Sequence, residues 1–282
     1  MDYDGSTLIN FIYKAKAVWW GTAHAASRST GDLLLTYDNI CMVQPDTTLD
    51  KIKLAYDIIV SDPEEKQIAF HAARGNHYFS YFTSEALQSN NYYTICNIRN
   101  PYAKFASLWK HSNFIYTKRG EKTTLTLKEY AQNMHKVFLK KPDRKNRPAT
   151  FFCIYDNIKT IKNQYGKEPD LYLRAENLKK DVLKIPFLDF DNPETKQVYQ
   201  ERIVNNLSKE KEIIRINKKI ESKQINNPKN LNPFSHWKTQ YDQEAADIVY
   251  YHCKSDFEYF GYNKDSWKEG VEITTSNPAL FS

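Results

Sequence analysis

The segment Tyr92–Ser107 (YYTICNIRNPYAKFAS) is the strongest constraint on the fold of this 282-residue chain. It opens with an apolar run rich in β-forming residues and changes at Arg99-Asn100-Pro101 to a helical pattern. Asparagine is a favoured N-cap and proline suits the first helical position, so we expect a helix to begin at Pro101. Arg99 then lies where a buried strand ends and a helix begins, which is where open α/β sheets bind ligands.

The side chains around this junction are suited to an anion. A guanidinium fork at Arg99, close to a helix N-terminus and to the hydroxyl of Ser107 two turns along the helix, favours a phosphate. The residues alone equally allow a second interpretation, in which Arg99 is a solvated side chain after an edge strand.

Other segments extend the alternation of strands and helices along the chain. Short apolar runs predict strands at Leu8–Tyr13, Gln67–His71 and Leu171–Arg174, and helical patterns lie between them. This order predicts an α/β fold with a mostly parallel sheet that is covered on both faces. The length fits a single domain over residues 1–282, with a core at about 8–262 and a C-terminal tail at 263–282.

Composition excludes some classes of function and leaves others open. A formal charge of +6 suits an anionic ligand but is also ordinary for a globular protein. The four cysteines are widely scattered without a CxxC pair, so neither a disulfide framework nor a metal centre is predicted.

The N-terminus does not resemble a signal peptide and no stretch is long enough to span a membrane, so we expect a cytoplasmic location. The absence of GxxxxGK(S/T) argues against an ATPase or kinase.

Arg99-Asn100-Pro101 followed by Lys104 and Ser107 resembles a known nucleotide-binding segment, R-(D/N)-P-x-x-(R/K)-x-x-S. It belongs to the sulfotransferases that use 3′-phosphoadenosine-5′-phosphosulfate (PAPS). The resemblance implies that Arg99 and Ser107 hold the 3′-phosphate of PAPS. It also implies the family's single-domain α/β fold, a central parallel sheet flanked by helices and related to the P-loop kinases.

The segment Leu8–Thr22 (LINFIYKAKAVWWGT) stands where the family has its 5′-phosphosulfate loop, P-K-x-x-(G/S)-(S/T)-(S/T). The resemblance implies a strand, a lysine-bearing turn, and Gly21-Thr22 at the mouth of a helix. Lys16, with Lys14 as the alternative, is then the catalytic lysine, and both lysines with Gly21 and Thr22 are candidates to bind the cofactor. The intervening Trp19-Trp20 pair is interpreted as core, or as one ring that stacks on adenine or lines the acceptor pocket.

A histidine is the expected general base, because an imidazole titrates near neutrality. His71 ends a predicted strand, as the catalytic histidine does in many sulfotransferases, and the resemblance gives it that role. His77 is the main alternative and His24 a weaker one. Arg74 is a candidate to hold the sulfuryl group.

Two further segments match the family pattern and extend the resemblance to Tyr262. Leu171–Asp181 (LYLRAENLKKD) resembles its strand-to-helix segment, in which we expect Arg174 and Glu176 to be structural or to support the residues that bind ligand. His236–Tyr262 resembles the C-terminal helix, whose closing aromatic residues are expected to pack on the sheet; they are Phe257, Phe260 and Tyr262. Lys229, in the preceding loop, is a candidate for contact with the 3′-phosphate.

The implied activity is transfer of a sulfuryl group from PAPS to a hydroxyl or amine of a small-molecule acceptor, such as a microbial natural product. PAPS is the only cofactor implied, with no metal, no nucleic-acid partner and no membrane; the oligomeric state is left open. A glycan acceptor is the first alternative. A non-catalytic nucleotide- or RNA-binding protein, or an inactive relative that keeps the fold, is the alternative of another class.

Overall fold

The computed structural model describes residues 7–22, 25–38, 40–42, 49–50, 53–54, 57, 61, 91–118, 125–140, 153–205, 237–275, 277 and 280. Contacts divide the predicted single domain into two compact units. The first comprises Met1–Arg99, Ile154–Val204 and Pro278–Ser282, and the second comprises Asn100–Cys153 and Asn205–Asn277. The chain therefore passes from the first unit to the second directly after Arg99.

The first unit contains a five-stranded mixed sheet in the order β3-β1-β2-β4-β5. Its strands are β1 Thr7–Ile12, β2 Ala17–Thr22, β3 Ile40–Met42, β4 Tyr93–Ile98 and β5 Leu171–Arg174. β1 pairs antiparallel with β2 and β3, whereas β2 pairs parallel with β4, and β4 with β5. The α/β class is confirmed, but the prediction of a mostly parallel sheet is wrong for the β1 half.

The antiparallel half arises because β1 and β2 form a hairpin. Their pairing runs from Thr7↔Thr22 to Ile12↔Ala17, and the turn between them is Tyr13–Lys16. Within the turn, the Lys16 amide donates to the Tyr13 carbonyl over 3.1 Å, and Lys16 takes a left-handed φ of 45°. So short a connection can join only antiparallel neighbours, because a parallel crossover needs a dozen or more residues.

The helices, in chain order, are α1 Ser27–Leu34, α2 Pro101–Lys118, α3 Leu127–Lys140, α4 Ile154–Tyr165, α5 Leu178–Asp181, α6 Pro193–Val198 and α7 Gln243–Phe260. In the first unit, α1 covers one face of the sheet, where its Leu33 and Leu34 join a buried cluster with Trp19 and Ile95. Side chains on the opposite face, such as Trp20, are equally buried. Burial on both faces agrees with the apolar character of the central strands.

The second unit is built on α2, α3 and α7, which pack against one another. The start of α2 matches its prediction, since the Asn100 side chain accepts hydrogen bonds from the amides of Tyr102 and Ala103 at 3.0 and 3.4 Å. The helix buries an apolar stripe with helical spacing; it comprises Tyr102, Phe105, Ala106 and Trp109. The aromatic end of α7 contacts this stripe through Phe257, whose ring lies 4.9 Å from that of Tyr102.

Of the residues assigned above to a C-terminal tail, those up to Asn277 belong to the second unit, whereas Pro278–Ser282 belongs to the first. Ser266 is fully buried and accepts a 2.9 Å hydrogen bond from the Asn100 side chain, and the Tyr102 hydroxyl donates to the Lys264 carbonyl over 2.7 Å. The buried amine of Lys238 donates to the carbonyls of Lys268 and Val271. Within the described ranges, no helix is both long and apolar enough to cross a membrane.

Candidate anion-binding site

The parallel half of the sheet brings several of the predicted residues to one edge. β2, β4 and β5 run in the same direction, so their carboxyl ends lie together, and β2 is also the strand at which the sheet changes to antiparallel pairing. Gly21-Thr22 closes β2 and Arg99 directly follows β4. Two motifs that are far apart in sequence thus meet at the kind of edge where α/β sheets bind ligands.

The residue directly before α1 has a backbone conformation suited to binding an anion. Ala26, immediately before α1, is left-handed (φ 62°, ψ 19°) and gives the helix no side-chain cap. The Ser27 hydroxyl and the Ala25 amide both donate to the Thr22 carbonyl, which holds the start of α1 against the end of β2. A left-handed residue followed by right-handed ones is the arrangement from which anion-binding nests are made, and left-handed alanine is strained.

The first turn of α1 carries a positive charge and no negative one. It carries Ser27, Arg28 and Ser29 and contains no acidic residue. The helix dipole disfavours a cation and favours an anion at this end. Without a bound anion, Arg28 therefore lowers the stability of the helix. Arg28 is exposed, and a bound anion would interact with both its guanidinium and the first amides of α1, which receive no side-chain cap from Ala26.

Thr22 carries a buried hydroxyl at the end of β2, on the sheet face opposite α1. Its side chain is fully buried, yet among the described residues its hydroxyl has no hydrogen-bond partner. A buried polar group left in this state costs about 1–3 kcal/mol, so natural proteins rarely keep one without a reason. A polar ligand or water at the end of β2 would give it a partner.

Lys14 and Lys16 do not belong to this arrangement. Both are exposed in the β1–β2 turn, at the amino end of β2, whereas Gly21-Thr22 is at the carboxyl end. Six residues of extended chain place Lys16 about 20 Å from Thr22 along the strand. The expectation of one loop that carries Lys16 and Gly21-Thr22 is therefore wrong, because Ala17–Thr22 forms a strand instead of a loop.

Gly21 has a packing role that the sequence did not indicate. A β-carbon at this position would lie 2.9 Å from Cζ2 of Trp19, so only glycine leaves room for the indole beside the strand. Trp19 and Trp20 are 4% and 1% exposed, which confirms the interpretation of this pair as core.

Ser107 and Lys104 lie on α2, in the second unit. Ser107 is half-buried two turns into the helix, and Lys104 is almost fully buried in its first turn. Arg99 belongs to the first unit, so its joint grip on a 3′-phosphate with Ser107 remains a prediction.

The residues expected to act on the acceptor fall outside the described part of the chain. These are His71, its alternatives His77 and His24, and Arg74; Lys229, proposed near the 3′-phosphate, falls outside it as well. Their roles remain predictions.

Arg174, at the end of β5, is held by a structural ion pair. Its Nε and Nη2 atoms donate to the two carboxylate oxygens of Asp181 at 2.7 and 2.6 Å, and its amide donates to the same carboxylate at 2.9 Å. Asn177 adds a fourth hydrogen bond to Asp181. This arrangement agrees with the structural interpretation of Arg174 and anchors α5 to the sheet edge.

The cation that sequence reasoning missed is Arg28, with the hydroxyls of Ser27 and Ser29 beside it. The signal was present as the run SRST, but only the β2 strand before it shows that this run opens a helix at the ligand-binding edge.

Among the described residues, no group of three His, Cys, Asp or Glu side chains is placed to hold a metal. No protein-family model, curated protein or solved structure matches this chain.

Proposed function

We propose that this chain is a PAPS-dependent sulfotransferase that modifies a hydroxyl or amine of a small-molecule acceptor. The observation that supports it best is the uncapped, cationic start of α1 at the same sheet edge as Arg99. An anion site next to a second arginine suits a nucleotide that carries phosphates at both its 5′ and 3′ positions. The R-N-P-x-x-K-x-x-S pattern around Arg99 is the feature that selects PAPS among such nucleotides.

The positions of these groups suggest a division of roles. The first amides of α1, with Ser27, Arg28 and Ser29, hold the 5′-phosphosulfate, while Arg99 holds the 3′-phosphate with the predicted help of Ser107. In this arrangement Arg28 takes the charge-stabilising part that the sequence resemblance gave to Lys16.

The reaction is an in-line transfer. The acceptor oxygen or nitrogen attacks sulfur and forms a new bond, while the bond from sulfur to the bridging phosphate oxygen breaks and leaves its electron pair on that oxygen. The acceptor proton goes to His71, or to His77 in the alternative assignment. Positive charge at the start of α1 stabilises the departing phosphate, so positioning and electrostatics provide most of the acceleration.

Calorimetric titration with 3′-phosphoadenosine-5′-phosphate (PAP), compared with 5′-AMP, tests this proposal. We expect the protein to prefer PAP and Arg28→Ala to weaken its binding about tenfold or more, as loss of a charged hydrogen-bonding partner does. Lys16→Asn is the matched control, because it removes a cation at the other end of β2 and asparagine tolerates the left-handed backbone there.

Three results would count against the proposal. Equal affinity for PAP and 5′-AMP would refute a PAPS site. Loss of binding in Lys16→Asn but not in Arg28→Ala would refute the location of the site. Salt-dependent binding of single-stranded RNA without any preference for PAP would favour the nucleic-acid alternative.

A further inference from the structure

A buried chain of side-chain hydrogen bonds connects β2, β4 and α1 beneath the candidate site. The Trp19 indole Nε1 donates to Asn97 Oδ1 over 2.6 Å, and Asn97 Nδ2 donates to Thr30 Oγ1 over 2.9 Å. The Thr30 hydroxyl donates in turn to the Ala26 carbonyl over 3.2 Å. Asn97 and Thr30 are completely buried, so water does not compete for the two hydrogen bonds of the Asn97 side chain.

The donor at one end fixes the direction of the whole chain. An indole nitrogen can only donate, so the oxygen of Asn97 must face Trp19 and its amide nitrogen must face Thr30. Thr30 then accepts from Asn97 and directs its own hydrogen to Ala26. Reversal of any single bond would leave a buried polar group unpaired, so the chain allows one arrangement.

Both ends of this network lie at the functional elements. Ala26 is the left-handed residue that precedes the first turn of α1, and its carbonyl also accepts from the Thr30 amide at 3.1 Å. Asn97 lies on β4, two residues before Arg99, which follows the end of that strand. At the other end, the indole of Trp19 is packed over Gly21 near the end of β2.

We propose that Asn97 and Thr30 are positioning residues, which hold the first turn of α1 at a fixed place relative to the end of β4. This inference rests on the proposed function, because the geometry it preserves is the separation between Arg28 and Arg99 that one nucleotide must span. A binding site needs its groups within about half an ångström of their productive positions, and buried hydrogen bonds behind the site provide that precision. A purely structural network would contribute to stability without affecting ligand affinity.

Three threonine substitutions separate these two roles. Thr30→Val keeps the shape but removes both hydroxyl bonds, and Thr30→Ser restores the hydroxyl. Thr36→Val is the matched control, since the Thr36 hydroxyl also makes two bonds, to the Leu33 carbonyl at 2.7 Å and to Thr195 Oγ1 at 2.9 Å, just beyond the opposite end of α1.

We expect Thr30→Val to weaken PAP binding about tenfold, equivalent to about 1.4 kcal/mol, and Thr30→Ser and Thr36→Val to stay within about twofold of the wild type. Melting temperatures measured on the same samples should fall for both valine variants. A loss of PAP affinity in Thr30→Val but not in Thr36→Val would therefore show that Thr30 positions the binding site and does not act only through the stability of the fold.

The outcomes distinguish this inference from the proposal on which it rests. If the wild type shows no preference for PAP, the proposed function fails and the positioning role fails with it. If the wild type binds PAP and Thr30→Val binds equally well, only the positioning role is overturned. Should Thr30→Val not fold, Trp19→Phe removes the donor at the other end of the network, and unchanged PAP affinity in that variant would overturn the inference.

Discussion

Replacement of Asp181 by alanine should be among the most destabilising single changes in the first unit. Its carboxylate is 2% exposed and accepts four hydrogen bonds, three from Arg174 and one from Asn177. Removal of one partner from a buried ion pair costs about 3–5 kcal/mol, because the other charge is left without compensation. The Arg174 side chain is 17% exposed and keeps some contact with water, so we expect a loss near the lower end, about 3 kcal/mol.

Urea unfolding followed by circular dichroism would measure this loss. Glu168→Ala is a suitable comparison, because the Lys162–Glu168 pair is 55% and 38% exposed and such surface pairs contribute about 0–1 kcal/mol. The double replacement Arg174→Met with Asp181→Leu should be less harmful than Asp181→Ala, since no unpaired charge remains. A loss below about 1 kcal/mol for Asp181→Ala would refute the claim that this pair anchors α5 to the sheet.

Three further changes follow from packing and capping. Gly21→Ala should destabilise the protein by about 1–3 kcal/mol in urea unfolding, because its β-carbon meets the Trp19 ring at 2.9 Å; a neutral result would mean that the ring moves freely. Asn100→Ala should cost at least about 1–2 kcal/mol by the same measurement, because it removes both the α2 cap and the hydrogen bond to Ser266. Asn100→Ser can still cap the helix and should recover part of this loss, whereas equal losses would argue against capping. Hydrogen bonds from the amide and hydroxyl of Thr126 lower the pKa of the Glu129 carboxyl from its ordinary value of 4.5. The contribution of Glu129 to stability should therefore be complete above pH 4.5 and should disappear as the pH falls through the lower pKa of the folded state. Urea unfolding of wild type and Glu129→Ala across this pH range should show the two converging in acid, and a constant difference would contradict the capping-box role of Glu129.

Local signals in the sequence were enough to predict the junction at Arg99. A cap, a proline and an apolar stripe all lie within a dozen residues, so the end of β4 and the start of α2 follow from short-range chemistry. The hairpin had no such signal. Its turn, YKAK, lacks the glycine or asparagine that marks most tight turns, and the strand AVWWGT is apolar on both faces, so no alternation reveals it.

The amino-acid sequence by itself determined the α/β class and the ends of individual elements, because these depend on neighbours along the chain. It did not determine which ends meet. Pairing of β2 with β4 places Gly21-Thr22 and Arg99 at one edge and moves Lys16 to the other end of β2, and pairing is set by contacts between distant residues. The same pairing brings Trp19, Asn97 and Thr30 into one buried network, although 67 residues separate the last two. The tertiary structure therefore decided which cation stands at the candidate site: Arg28, at the start of the helix that follows β2.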